Sequence, residues 1–341
     1  MAARATIVTL GLGAVFIAAF AASQISRPQA TAVGWTEVAS GSTIRDADGT
    51  RAAEVRDLRA QLEEIRSLLP GAGSMALAEL TVPQRAELCG QNVPLERPRV
   101  REGLAYELIL SAGRPLMPML WMRRAPAVLP MIERKLSAAS LPDDLKYLAM
   151  IESDLRETAR SPAGAAGLWQ FVRGTGRRYG LRIDRYLDER LDSLASTDAA
   201  IAYLSDLHEE FGDWFLAMAA YNAGENKVRA ALDASPSASF FELYLPYETR
   251  RYVYRILAAK LITANPTSYG LVRMTAYDQP NYRIVEVEVR RARADLKKLA
   301  TEHGLDYSAL RLANPQIRSS SLPRGRHRLR ILKHSPRSES H

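Results

Sequence analysis

Residues 142–171 read PDDLKYLAMIESDLRETARSPAGAAGLWQF. Within them Leu145, Leu148, Ala149 and Glu152 fall at i, i+3, i+4 and i+7, which is one face of a helix. Pro142 suits a first helical turn, and Asp143 and Asp144 complement the positive end of its dipole. A carboxylate on the apolar face loses hydration, so its pKa rises and it can hold a proton near neutral pH. The same spacing also fits a partnered or half-exposed Glu near a helix end. The run after it, SPAGAAGLWQF, begins nine residues past Glu152 with Ser161. Its small residues let the backbone approach a bound polymer, and Gly164 and Gly167 permit positive φ. Trp169, between Leu168 and Phe171, reads as core. Ser161 and Gln170 carry groups suited to sugar hydroxyls and acetamides, and each alone also suits a turn or cap.

Outward from this stretch, residues 84–264 keep helix-length apolar periodicity with short breaks. VLPMIERKLSAAS precedes it as a helical partner. TDAAIAYLSDLHEEFG follows, with Thr197 or Asp198 as the expected cap. DWFLAMAAYNAGENKVRAAL and ETRRYVYRILAAKLITA complete the series, which Asn265-Pro266 closes. Strand signals are absent from this region, so an all-α domain over 84–275 is expected. Period-two alternation appears at 284–289, then ADLKKLATEHG and DYSALRLANP read as helices, and a second alternating strand spans 327–332. That order, β-α-α-β, defines a small module at 282–333, followed by a tail at 334–341.

The chain has 341 residues, 47% of them hydrophobic and 25% charged, a globular composition long enough for two domains. Its net charge of +8 is concentrated late: between Arg283 and Arg337 lie eleven Arg and three Lys against five acidic residues. Such an excess favours an anionic wall polymer, an acidic membrane surface or nucleic acid, and charge does not choose among them. Nucleic acid is not expected, because the basic module follows an export segment and carries no nucleic-acid motif. That segment is 1–26, where Ala5 to Ser26 hold no charged side chain, and it reads as a signal peptide or an uncleaved membrane anchor. Residues 27–50 read as a linker. In 51–69, Val55, Leu58, Leu62, Ile65 and Leu69 form a short heptad seam, fit for self-association or for lying on the helical domain that follows. The one cysteine, Cys89, excludes an intramolecular disulfide, and neither a metal-ligand cluster nor a cofactor motif is present in the sequence.

Two further clusters bear on chemistry. AAYNAG at 219–224 puts Tyr221 and Asn222 before Gly224, a common helix stop that could also face Glu152 across a groove. LPYETRRYV at 245–253 starts a helix with Glu248 in its first turn. Taken together, E-S-x7-S-P-x-G-A-x-G-L-W-Q, AYNAG and ET-x-x-Y resemble the lytic transglycosylases of bacterial peptidoglycan, in particular the membrane-bound lytic murein transglycosylase D type. The resemblance covers roughly 95–275. It implies a goose-lysozyme-like, all-α catalytic domain in a mainly α chain. It also implies cleavage of the β-1,4 bond between N-acetylmuramic acid and N-acetylglucosamine with a 1,6-anhydromuramoyl product, a lyase reaction on glycan strands needing no cofactor. By the resemblance Glu152 is the single general acid and base, and Ser161, Gln170, Tyr221, Asn222 and Glu248 bind or orient sugar.

The chemistry of the residues agrees with that reading. A two-carboxylate glycosidase needs a second acid set by distance across the bond. None is marked here, since Asp154 and Glu157 point to other helix faces and are expected to be solvated. A hydrolytic muramidase and a catalytically silent wall-binding scaffold are the alternatives. The C-terminal module resembles a LysM domain in its β-α-α-β order and in the G-x-x-x-L-x-I run from Gly325 to Ile331. It departs at Arg293-Ala294-Asp295-Leu296, where that family commonly has Gly-Asp-Thr-Leu, which puts sugar binding by this module in question. The expected location is the periplasm or cell envelope.

Overall fold

The computed structural model describes residues 81–277 and 282–332. The export segment, the linker, the heptad and the tail after 332 lie outside the described residues. A short hairpin of β1 (Ala86–Leu88) and β2 (Gln91–Val93) comes first. The sequence reading missed it, because three-residue strands are too short to show alternation. The turn is made by Cys89 and Gly90, both at positive φ. It is pinned by the Cys89 amide, which donates to Asp144 at 2.8 Å.

The helices are α1 (Pro98–Ala112), α2 (Leu116–Ala138), α3 (Lys146–Ser153), α4 (Arg173–Arg178), α5 (Ser193–Phe211), α6 (Trp214–Ala223), α7 (Glu225–Asp233) and α8 (Tyr247–Ala264). The fold is mainly α, as expected. α2 runs through Pro126 and Pro130 and starts well before the apolar run that announced it. α5 starts at Ser193, not at Thr197: Asp192 is its cap, accepting from the Leu194 and Ala195 amides. Thr197 is instead buried, and its hydroxyl receives the Trp169 indole N–H at 2.9 Å. Trp169 is 0% exposed, a core residue as read.

α6 is apolar on every side, and Phe215 through Ala220 are all buried, which marks it as the central helix of the core. It packs on α5, α7 and α8, while α8 also covers α1 and α3. Leu148, Ala149 and Met150 of α3 are fully buried against this group. Removing the Leu148 side chain there is expected to cost about 2–5 kcal/mol through lost transfer energy and a cavity. α3 is short and ends at Asp154, in the left-handed region at φ 54°. Glu152 therefore sits in the last turn of a firmly seated helix.

Beyond Ala264, β3 (Tyr282–Asp295) pairs antiparallel with β4 (Ser321–Leu332), and α9 (Leu296–Glu302) and α10 (Tyr307–Ala313) lie between them. Both strands run longer than the alternating segments that signalled them, with a register shift between Val289 and Arg293. Leu296, Leu310, Leu322, Leu329 and Ile331 form a separate small core, which Leu187 of the preceding region joins. The module is seated by backbone pairing. The Asp188 amide donates to the Gln316 carbonyl at 2.8 Å and the Arg318 amide to the Tyr186 carbonyl at 2.7 Å. Arg330 adds two parallel hydrogen bonds to the Glu157 carboxylate at 2.8 and 2.9 Å. Among the described residues no helix is long and apolar enough to cross a membrane.

Candidate active site

α3, the loop after it, and the junction of α6 with α7 enclose a pocket of about 170 Å³. Glu152, Gln170, Phe171, Tyr221, Asn222 and Glu225 are among the residues that line it. Four of the six expected site residues thus meet in one cleft. Ser161 and Glu248 do not line it. The Ser161 hydroxyl accepts from the Ala165 amide at 3.0 Å, and its backbone closes the same turn. Ser161 therefore shapes the loop on which Gln170 stands. Glu248 pairs with Arg255 one helical face along α8, at 3.0 Å.

Glu152 keeps part of its surface open to the pocket, but protein surrounds the carboxylate closely. Burial pushes its pKa up to about 7. Three neighbours adjust that value: the Tyr252 hydroxyl and the Arg255 charge pull it down, and the Glu248 charge pushes it up. Tyr252 donates to Glu152 Oε1 at 2.6 Å, a short charge-assisted bond when the acid is ionised. Tyr252 itself is buried and its own pKa is raised well above the ordinary phenol value, first by burial and then by Glu152, so it stays a donor. Tyr252 is the tyrosine of ET-x-x-Y, four residues past Glu248 on the same face of α8. Its role was invisible in the sequence because the bond spans 100 residues.

The other walls are built with equal economy. The Tyr221 hydroxyl donates to the Trp169 carbonyl at 2.8 Å, tying α6 to the Gln170 loop. Asn222 accepts from the Thr249 hydroxyl at 3.0 Å, tying α6 to α8. The Gln170 amide nitrogen donates to Gly167 O at 2.7 Å and more weakly to Ala159 O at 3.3 Å. Its backbone sits at φ 47°, an uncommon conformation for glutamine that the surrounding loop must hold in place. Phe171, Tyr203 and Tyr221 make an aromatic side to the cleft, with ring centroids 5.2 Å apart for Tyr203 and Tyr221. Such a face suits the apolar side of a sugar ring.

A second carboxylate, Glu225, also lines the cleft, and the sequence reading did not single it out. Both of its oxygens are engaged: Arg178 donates to one at 2.8 Å and the Tyr203 hydroxyl to the other at 3.2 Å. Burial alone would raise its pKa, but those partners hold it below the ordinary carboxylate value. Two acids in one cleft are thus driven in opposite directions, one toward holding a proton and one toward staying ionised. Asp154 and Glu157, expected to be solvated, are not. Asp154 accepts from the Trp121 indole at 2.9 Å, and Glu157 is taken by Arg330. Helix spacing does not reach them, because α3 ends at Ser153 and Asp154 and Leu155 turn in the left-handed region. A distant Trp and a distant Arg come to meet the two carboxylates. Among the described residues no group of His, Cys, Asp and Glu could hold a metal ion.

Residues 130–243 match the family described as Transglycosylase SLT domain. This span holds Glu152, Ser161, Gln170, Tyr221 and Asn222, and stops just short of Glu248. The chain is 37% identical over 188 residues to membrane-bound lytic murein transglycosylase D of Escherichia coli (strain K12), covering 54% of this chain and 41% of that protein. It is 32% identical over 120 residues to soluble lytic murein transglycosylase of Salmonella typhimurium, covering 33% of this chain and 19% of the relative. The X-ray structure of lytic transglycosylase Slt from Pseudomonas aeruginosa aligns with a TM-score of 0.35 at 27% identity, over 43% of this chain and 25% of that one. The chain thus spans well under half the length of these relatives. It carries a transglycosylase SLT domain, set in a sequence similar to membrane-bound lytic murein transglycosylase D.

Proposed function

We propose that this chain is a peptidoglycan lytic transglycosylase that cleaves the β-1,4 bond between N-acetylmuramic acid and N-acetylglucosamine, with Glu152 as the only general acid and base. The observation that carries the reading is the pairing of Glu152, with a pKa near 7, against a cleft whose other carboxylate is already fully engaged. At neutral pH a large share of Glu152 is protonated and can give its proton to the leaving glycosidic oxygen. Such a positioned acid typically contributes 10²- to 10⁴-fold in rate. Once ionised, it is stabilised by the Tyr252 hydroxyl and the Arg255 charge, which makes it a competent base for the next step. It then takes the proton of the muramoyl 6-hydroxyl, whose oxygen closes onto C1 as the 1,6-anhydro ring. The proton lost in the first step returns in the second, and no water enters the product. Glu225, held ionised by Arg178 and Tyr203, is poorly placed chemically to activate a water in competition.

Gln170, Tyr221 and Asn222 are proposed to contact the sugar in the cleft. Ser161 and Glu248 act one step back, the first by shaping the loop and the second by its charge on Glu152. Residues 84–275 would form the catalytic domain and 282–333 a LysM-like module directed at the wall, with peptidoglycan strands as the partner. The apolar segment within 1–26 would deliver the protein to the periplasm or envelope, cleaved or as an anchor, and the 55–69 heptad would serve self-association. The test is release of soluble muropeptides from purified sacculi. Wild type is expected to release them and Glu152→Gln to lose the activity by at least about 100-fold. Binding to sacculi without release by wild type would favour the scaffold reading instead.

A further inference from the structure

The loop that carries Gln170 is braced from below by one buried cation. The Arg190 guanidinium donates to the Gly164 carbonyl at 2.7 Å and to the Phe171 carbonyl at 3.0 Å, so it holds the loop at both ends. Its remaining edge makes a two-pronged pair with Asp188, at 2.8 and 2.9 Å. Arg190 is 2% exposed and Asp188 0%. A third contact is independent of charge: a Cβ on Gly167, which sits at φ +84°, would fall 1.7 Å from the Arg190 carbonyl oxygen. The loop backbone therefore lies directly on the Arg190 main chain. A buried ion pair adds little net stability compared with apolar residues of the same shape. What the fork adds is a defined geometry, since each guanidinium N–H points to a fixed acceptor.

Between its two braced ends the loop turns through Gln170 in the left-handed region, a conformation that persists only when its surroundings dictate it. We infer that Arg190 is a positioning residue for the reaction: locked by Asp188, it fixes the 161–171 loop so that Gln170 and Phe171 stand against the Glu152 cleft. The brace continues outward, because the Asp188 amide donates to the Gln316 carbonyl of the C-terminal module at 2.8 Å. The seating of that module and the shape of the cleft thus share one buried pair. This inference rests on the proposed function for its kinetic consequence, and on the geometry alone for its effect on the loop.

Two variants test it. Arg190→Lys keeps the charge beside Asp188 but, with three donors on one nitrogen, cannot make the two-pronged pair and both carbonyl bonds at once. The pair Asp188→Asn with Arg190→Met removes the fork without leaving a buried charge, and so covers the case in which the lysine variant fails to fold. For a folded variant, kcat on soluble glycan strands is expected to fall about 10- to 100-fold, the scale of a displaced positioning group. The alkaline limb near 7 should stay in place, since Tyr252, Arg255 and Glu248 lie on α8. The Ala166 and Gln170 amides, which bond to Phe171 and Gly167 within the loop, should exchange with deuterium about tenfold faster or more. A purely structural role would lower the melting temperature while kcat, KM and loop exchange below the transition stay within about twofold, and that result overturns the inference. If wild type shows no activity the proposed function fails, but the exchange measurement still decides whether Arg190 holds the loop.

Discussion

Replacing Glu152 with Gln should make the folded protein more stable at neutral pH and leave it nearly unchanged in acid. Gln keeps the shape and can still accept from Tyr252, so the main loss is the ionisable proton. In the folded chain the carboxyl pKa is about 7 against an ordinary value of 4.5. Between those two values the native state binds more protons than the unfolded chain, so the stability of wild type falls as pH rises. The difference of about 2.5 units corresponds to roughly 3 kcal/mol, at about 1.4 kcal/mol per unit. That penalty is absent below about pH 4.5, develops through the interval, and is complete above about pH 8. Urea unfolding of wild type and Glu152→Gln at pH 4.5, 6 and 8 measures it. The variant should gain on wild type by about 1–3 kcal/mol from the lowest pH to the highest. A stability difference that does not change with pH would refute the argument that burial holds a proton on Glu152.

Other expectations concern the partners of that acid and the frame around it. Tyr252→Phe removes a hydrogen bond that favours the ionised form. In the proposed mechanism the alkaline limb of kcat/KM follows loss of the Glu152 proton, so it should move up by about one unit; a limb moving down would contradict the assigned direction. Glu225→Gln should cost no more than about tenfold in kcat on glycan strands, against about 100-fold or more for Glu152→Gln; equal losses would mean that both carboxylates do chemistry. Gly167→Ala brings a methyl onto the Arg190 carbonyl at a positive φ and should cost more than about 3 kcal/mol, read as loss of soluble folded protein or a collapsed melting temperature. Arg330→Ala breaks the two-pronged bond to Glu157 that seats the C-terminal module, at about 1–3 kcal/mol in denaturant unfolding.

What the sequence made legible was what repeats or clusters along the chain. The i, i+4, i+7 face placed Glu152 on a buried helix, and the 284–289 alternation placed Val285, Val287 and Val289 toward one small core. Gln170, Tyr221 and Asn222 met in the cleft because each lies in a compact local cluster. What stayed hidden depends on contacts between distant segments. Asp154 and Glu157 looked solvated because Trp121 and Arg330, 33 and 173 residues away, leave no mark near them. Asp192 took the cap expected of Thr197 or Asp198 because the helix starts a turn earlier, and Thr197, inside it, donates its hydroxyl to the Ser193 carbonyl. Arg190 had no signature at all: its acceptors at Gly164 and Phe171 are backbone carbonyls, which any residue supplies. The β1–β2 hairpin escaped for a different reason, being too short to show a period.

The central claim is that Glu152 serves in turn as acid and base to an internal hydroxyl, with no water in the bond that forms. Digestion of sacculi in water enriched in oxygen-18, followed by mass spectrometry of the new muramoyl ends, tests it most directly. The account predicts 1,6-anhydro ends that carry no heavy oxygen at C1, lost together in Glu152→Gln. Reducing muramoyl ends labelled at C1 would show that water is the nucleophile and contradict it.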